Sequence, residues 1–316
     1  MFREPYIIKG YRPTDTTFSY AFKAIFRWHN DVGNFWTHFI PFCIFVIWFL
    51  LEWKWRTDFT DPYFYPLACL WAGSCCYTLF SSTAHLLGCV SYRVRTICFF
   101  LDYLGIAMYT IGGGIMAFFY HLSLGSVFYD YKYPILSYYV VLTICATLLT
   151  SLSRFYWYRY RFIIRVLAFF LPYVNTTYPI AIRMLTVCIP TRSDCVMETL
   201  FLHVINGMLV LLLSFFFVSK IPERFAPGKF DYVFQSHQLF HVSAAIETMV
   251  VFYMIPIDAA VRREIQSEYD AIRPDFFTTF GMFGIAFLGS LLVVVLLGGL
   301  VLKDILKPNL NEIKED

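Results

Sequence analysis

The chain has 316 residues, of which 59% are hydrophobic and only 15% charged, whereas a soluble domain carries about 25% charge. A net charge of +3 without a dense Lys/Arg cluster argues against nucleic acid as a partner, and a mean hydropathy of +0.59 argues against a predominantly soluble fold. One membrane crossing needs about 20 apolar residues, so this length holds roughly seven to nine crossings joined by short loops. The expected fold is all-α: a polytopic transmembrane bundle with a seven-helix core and an eighth span.

In chain order, residues 1–34 form a polar N-terminal segment with no apolar core behind Met1, so the first span rather than a cleaved leader is expected to target the chain. Thr14 and Asp15, after Pro13, are candidate helix caps. Phe18, Phe22, Ile25 and Phe26 then share one helical face, with Lys23 and Arg27 elsewhere. That pattern fits a helix lying in the membrane interface, and equally one packed on the bundle's own loops.

Apolar spans follow at about 36–53, 65–89, 97–120, 135–152, 162–185, 197–218, 235–256 and 277–302, so the bundle occupies 35–302 and a tail 303–316. Trp53, Trp55, Tyr156, Trp157 and Tyr158 gather near span ends, as interfacial anchors do. Gly112, Gly113 and Gly114 lie inside the third span, where close helix packing explains them better than phosphate binding. The fifth span carries Arg165, Pro172, Asn175, Pro179 and Arg183 and is the least regular; the sequon at Asn175 lies within it. The nine cysteines fall mostly in apolar runs; Cys188 and Cys195 flank one polar connection and are a candidate disulfide.

Lys and Arg set the orientation. The N-terminal segment and every second polar segment after it carry 17 of them, the alternate segments 8. Positive residues stay cytoplasmic, so both termini are expected in the cytoplasm.

A charged or metal-ligating group at membrane depth is a functional candidate by default. His85 lies near the end of span two, Asp102 near the start of span three, and His237 and His241 near the start of span seven. His237 and His241 are four apart and project from one helix face, a spacing that suits two ligands of one metal. All three chain segments lie on the same side of the membrane, the cytoplasmic one. Three neutral imidazoles with one open position match a catalytic-type Zn2+ site. Asp102 could take a proton there, and Ser81, one turn before His85, could support a ligand. The same residues also read as helix–helix hydrogen bonds and a helix cap. His29, His38, His121 and His203 read as packing or interface residues, and Glu247 as a group that pairs with another polar side chain or lines a wet cavity.

These motifs resemble the progestin and adipoQ receptor family, which is related to the alkaline ceramidases. The stretch Asn30-Asp31-Val32-Gly33-Asn34-Phe35-Trp36-Thr37-His38 resembles the family's entry to span one. Ser81 to His85 and Leu101-Asp102-Tyr103 resemble its second- and third-span motifs. Ile221 to Asp231, followed by Ser236-His237-Gln238-Leu239-Phe240-His241, is similar to the membrane progestin receptor branch. At one position the chain departs from adiponectin receptors: they carry a further His before a Ser, where Val90 precedes Ser91 here.

The resemblance implies zinc held by His85, His237 and His241, with Asp102 and Ser81 beside it. It also implies a plasma-membrane receptor for a steroid or other membrane lipid, with a signalling partner at the cytoplasmic face. The alternative that it carries is a zinc-dependent hydrolase of ceramide-like amides. A G-protein-coupled receptor is disfavoured, because the charge bias puts the N-terminus inside and no Asp/Glu-Arg-Tyr triplet follows a third span.

Overall fold

The computed structural model describes residues 4–55, 58, 60–122, 126–185, 197–266 and 273–307; Cys188 and Cys195 lie outside the described residues. The helices are α1 (Phe18–Ala24), α2 (Val32–Trp55), α3 (Tyr65–Leu87), α4 (Tyr92–Tyr120), α5 (Lys132–Leu152), α6 (Arg161–Arg183), α7 (Met197–Ser219), α8 (Ser236–Gln266) and α9 (Met282–Leu302). There is no strand among the described residues. The eight expected spans correspond to α2 through α9.

Seven of these eight are long and apolar enough to cross a membrane by length and composition. The exception is α3, whose sequence carries Ser74, Thr78, Ser81, Ser82, Thr83 and His85. The reason lies in its place. Fifteen of its 23 residues are buried against neighbouring helices, so its surface is not chosen for lipid. Several of its hydroxyls bond back to their own helix, as Thr78 Oγ1 does to the Ser74 carbonyl at 2.8 Å.

The central pair is α3 and α4. Gly73 faces Met108, Gly105 faces Tyr77, and Gly112 faces Cys69 and Leu70. As one number rises the other falls, so the two helices run antiparallel. A Cβ on Gly112 would sit 2.7 Å from the Cys69 carbonyl oxygen. Small residues let the two backbones approach this closely in lipid, where packing and hydrogen bonds rather than hydrophobicity hold helices together. Gly113 and Gly114 meet Thr176 of α6 and Tyr139 of α5, so the glycine triplet seats three different helices around α4.

Around this pair, α2 packs on α3 and α8, α7 packs on α8, and α9 lies outside against α4 and α5. Both described ends of the chain lie at one end of the bundle. Asp231, just before α8, accepts hydrogen bonds from the Ile8 and Lys9 amides, each at 2.9 Å, and Asp304, after α9, pairs with Arg93 at the start of α4 at 2.5 Å. Helix α6 continues through Pro172 and Pro179.

The cap of α1 differs from expectation. Thr17, not Thr14 or Asp15, accepts the Tyr20 amide, at 3.2 Å. Phe18, Phe22 and Phe26 are exposed on that helix and just after it, while Ala21 and Ala24 are buried.

The α3–α4 contact gives a paired prediction. Alanine in place of helical glycine ordinarily gains about 0.5–1 kcal/mol. At Gly112 the new methyl meets backbone that cannot rotate away, so overpacking of about 1–3 kcal/mol outweighs the gain. Gly112→Ala should lower the melting temperature of the detergent-purified protein by several degrees. Gly299→Ala, where no atom lies within 4 Å of a new Cβ, should leave it unchanged or slightly raised.

Candidate functional site

The end of the bundle that holds both described chain ends also collects His85, His237 and His241. His85 is in the last turn of α3; His237 and His241 fill the first turns of α8. One ligand atom from each of the three lies within 4.8 Å of the others, and His85 Nε2 and His237 Nε2 are 3.2 Å apart. Nitrogen ligands at about 2.0–2.1 Å from one tetrahedral zinc stand roughly 3.3 Å from each other. The chain's own spacing therefore fits a shared ion.

The other ring nitrogens support the same reading. His85 Nδ1 meets Asp31 Oδ1 at 3.2 Å, and His241 Nδ1 meets Thr37 Oγ1 at 3.1 Å. A ligating imidazole usually has its second nitrogen held in this way, which fixes the tautomer and turns the first nitrogen to the metal. His85 and His241 are buried and His237 is half-buried.

Ser81 and Asp102 are where the sequence pattern places them. The Asp102 carboxylate lies within electrostatic reach of the Ser81 hydroxyl and of His85. The structure thus brings together all five residues singled out from the sequence.

It adds residues to which the sequence pattern assigns no chemical role, most of them in the stretch Asn30–His38. Asp31 holds His85, and Thr37 holds His241. His38, expected to be a packing residue without such company, stacks on His241 with ring centroids 3.6 Å apart. Gly33 seats Gln238 of α8. His29 accepts the Asp31 amide through Nδ1 at 3.1 Å; burial, then the charge of Arg12, pushes its pKa down to about 4, so it stays neutral at physiological pH. The signal present in the sequence is the set of polar side chains on the entry to span one, at the same membrane depth as the histidines.

Two further devices set the geometry. Glu223 caps α8: its carboxylate accepts the Ser236 amide at 2.7 Å and the Ser236 hydroxyl. A negative charge at a helix N-terminus is stabilising, and this helix presents His237 one residue later. Arg12 closes α3 from the opposite direction, donating to the Leu86 carbonyl at 2.8 Å and the His85 carbonyl at 2.5 Å while pairing with Asp31 at 3.3 Å. A small cleft lined by Arg12, Asn30, Asp31, Gly88 and Arg95 adjoins it.

Elsewhere, Glu247 finds polar partners inside the bundle, Tyr109 and Asn206, each at 2.8 Å. His121 and His203, expected to be isolated, converge with Asp258 at the other end of the bundle.

Fold and site together define a class: a polytopic helical membrane protein with an imidazole cluster joining two helices at one end of its bundle. The haemolysin-III related family model matches residues 26–252, which include His85, Asp102, His237 and His241. The mouse membrane progestin receptor gamma is 34% identical over 268 residues, covering 84% of this chain and 80% of that protein. The human gamma receptor is 35% identical over 271 residues with the same coverage, and the human delta receptor 32% over 272 residues, covering 83% and 77%. The chain belongs to the haemolysin-III related family and, within it, to the progestin and adipoQ receptors.

Arg12 supports the site through a buried ion pair and two backbone hydrogen bonds. Removing one partner of a buried pair costs about 3–5 kcal/mol, because the remaining charge is left without compensation. Arg12→Ala should therefore unfold at markedly lower temperature, with Arg12→Lys intermediate. An unchanged melting curve would show that the contacts of Arg12 with His85, Leu86 and Asp31 do not hold the site together.

Proposed function

We propose that this protein is a plasma-membrane receptor for a lipophilic ligand of progestin-steroid type, with zinc held by His85, His237 and His241 at the cytoplasmic end of the bundle. The single observation that carries the ligand class is the similarity, over 84% of the chain, to proteins named membrane progestin receptors. The zinc assignment is supported by the 3.2 Å approach of two Nε2 atoms, together with the anchoring of His85 and His241 through Nδ1. Orientation is supported by the roughly twofold Lys/Arg bias toward the segments at that end. In this reading residues 1–34 and 303–316 are cytoplasmic, and the exposed Phe18, Phe22 and Phe26 lie in the inner interface.

When bound, zinc supplies Lewis acidity and a cross-link between helices. The chain's own residues do the rest. Asp31 and Thr37 orient two imidazoles, and Arg12 ties the N-terminal segment to α3. A ligand shifts such a bundle only through different affinity for two arrangements of its helices. Because α3 and α8 are joined at the imidazoles, any ligand that changes their separation acts on Asp31 and, through it, on the cytoplasmic segment where a signalling partner would bind.

A specific observation also favours a second reading, zinc-dependent hydrolysis of a ceramide-like amide: the Ser81 hydroxyl and the Asp102 carboxylate lie together beside His85. There Ser81 would orient the carboxylate and Asp102 would take and return the proton.

Three measurements test these readings. Purified wild type should bind labelled progesterone saturably, without competition from cholesterol; absence of saturable binding rejects the steroid assignment. Metal analysis should find zinc in wild type and at least tenfold less at this site in His237→Ala, while Asp102→Ala keeps it. If the hydrolase reading holds, both variants lose release of fatty acid from ceramide; activity that persists in both excludes it.

A further inference from the structure

At the bundle end opposite the first histidine cluster, three helices bring together a second set of metal-ligating side chains. His121 is the residue that caps the C-terminus of α4, His203 lies in the second turn of α7, and Asp258 is in α8. Asp258 lies 21 residues beyond His237 on the same helix, a separation of about 31 Å at 1.5 Å per residue. The two clusters therefore sit at opposite faces of the membrane.

One carboxylate oxygen is the meeting point. Asp258 Oδ2 is 2.8 Å from His203 Nε2 and 3.7 Å from His121 Nε2. The imidazole rings meet edge to face with centroids 5.0 Å apart, and one ligand atom of each residue lies within 4.8 Å of the others. Ligands of one tetrahedral zinc stand roughly 3.3 Å apart, and the two measured separations bracket that value. The second oxygen, Oδ1, accepts the hydroxyl of Thr199, a hydrogen bond that orients the carboxylate so that Oδ2 faces the rings. His121 and Asp258 are buried, and His203 is half-buried. The C-terminal end of α4 adds a partial negative charge beside His121, which favours a cation.

The geometry points to a second divalent-metal site, built from His121, His203 and Asp258, that binds Zn2+ from the compartment opposite the first cluster. Two imidazoles and one carboxylate are a borderline donor set suited to zinc. The effect of the site is to staple α4, α7 and α8 at the far face. Because α8 contributes ligands at both faces, zinc bound at the far face stiffens the same helix that carries His237 and His241.

The test is metal stoichiometry on the detergent-purified full chain, stripped with a chelator, reloaded with zinc chloride and desalted. Wild type should retain two zinc ions per chain. His203→Gln and Asp258→Asn should each retain one, His237→Gln one, and the His203→Gln/His237→Gln double variant none. Folding is followed by size-exclusion profile, and His121→Gln serves if either far-face variant aggregates. As an independent readout, zinc should raise the melting temperature of His237→Gln and fail to do so in the double variant. Equal zinc content in wild type and the far-face variants, with no zinc-dependent melting shift in His237→Gln, overturns the proposal and leaves the cluster as a His–Asp hydrogen-bonded pair. Loss of one ion in His203→Gln but none in His237→Gln supports the far site and removes the near one, so the two assignments fail separately.

Discussion

An ionisable side chain at membrane depth is tolerated only when something near it takes up its charge or its hydrogen bonds. Three sets of buried ionisable groups in this bundle obey that constraint by joining clusters. Three imidazoles meet at one end with Asp31 and Thr37 behind them; Glu247 is met midway by Tyr109 and Asn206; Asp258 is met at the other end by Thr199 and two histidines. The clusters lie between helices that are far apart in the chain, so satisfying each polar group also decides which helices are neighbours. Glu247 and Asp258 with their partners join α8 to α4 and α7, while the imidazole cluster joins α8 to α3 and to the entry of α2.

Packing makes those meetings possible. The glycines of α3 and α4 bring two backbones close enough that α4 touches most of the bundle, which leaves α3 largely enclosed. An enclosed helix can carry serine, threonine and histidine at little cost, provided its hydroxyls bond locally or across to a neighbour. The polar character of α3 and the position of His85 therefore have one cause. The extramembrane segments then act as fasteners. Asp231 holds the N-terminal segment and Glu223 holds the start of α8, while Arg12 spans from that segment to the end of α3. Each fastener is a charged group placed against backbone groups; those met by Glu223 and Arg12 are ones that a helix end leaves unpaired.

How much of this is legible in the amino-acid sequence depends on the range of the signal. Seven helices announce themselves through long, mainly apolar runs, α6 least regularly. The eighth, α3, is recoverable from its flanking turns although its hydropathy is lower. The convergence of His85, His237 and His241 follows from counting crossings and from a four-residue spacing on one helix. Asp31 escapes a chemical assignment because it lies one residue ahead of α2, where a carboxylate is usually solvated. The structure turns it inward because Asn30–His38 runs alongside the start of α8, as the contacts of Asn30, Thr37 and His38 record. Thr17 displaces Thr14 and Asp15 as the α1 cap because capping is a matter of local φ and ψ, which composition does not resolve.

His121 and His203 are the most instructive miss. Read singly, each is an isolated histidine at a span end, and isolation is the ordinary reason to treat such a residue as packing. Yet the crossing count that joins the first cluster applies to them without change. The end of span three, the start of span six and the end of span seven face the same side. Asp258 stays hidden in the sequence because α8 extends past the apolar run that marks the membrane, which places that carboxylate in an apparent loop. Once α8 is continuous to Gln266, its start and its far turns belong to one helix that runs through Pro256. The two polar clusters then cannot be independent. A displacement of α8 along its axis that loosens one set of contacts must move the other by the same amount.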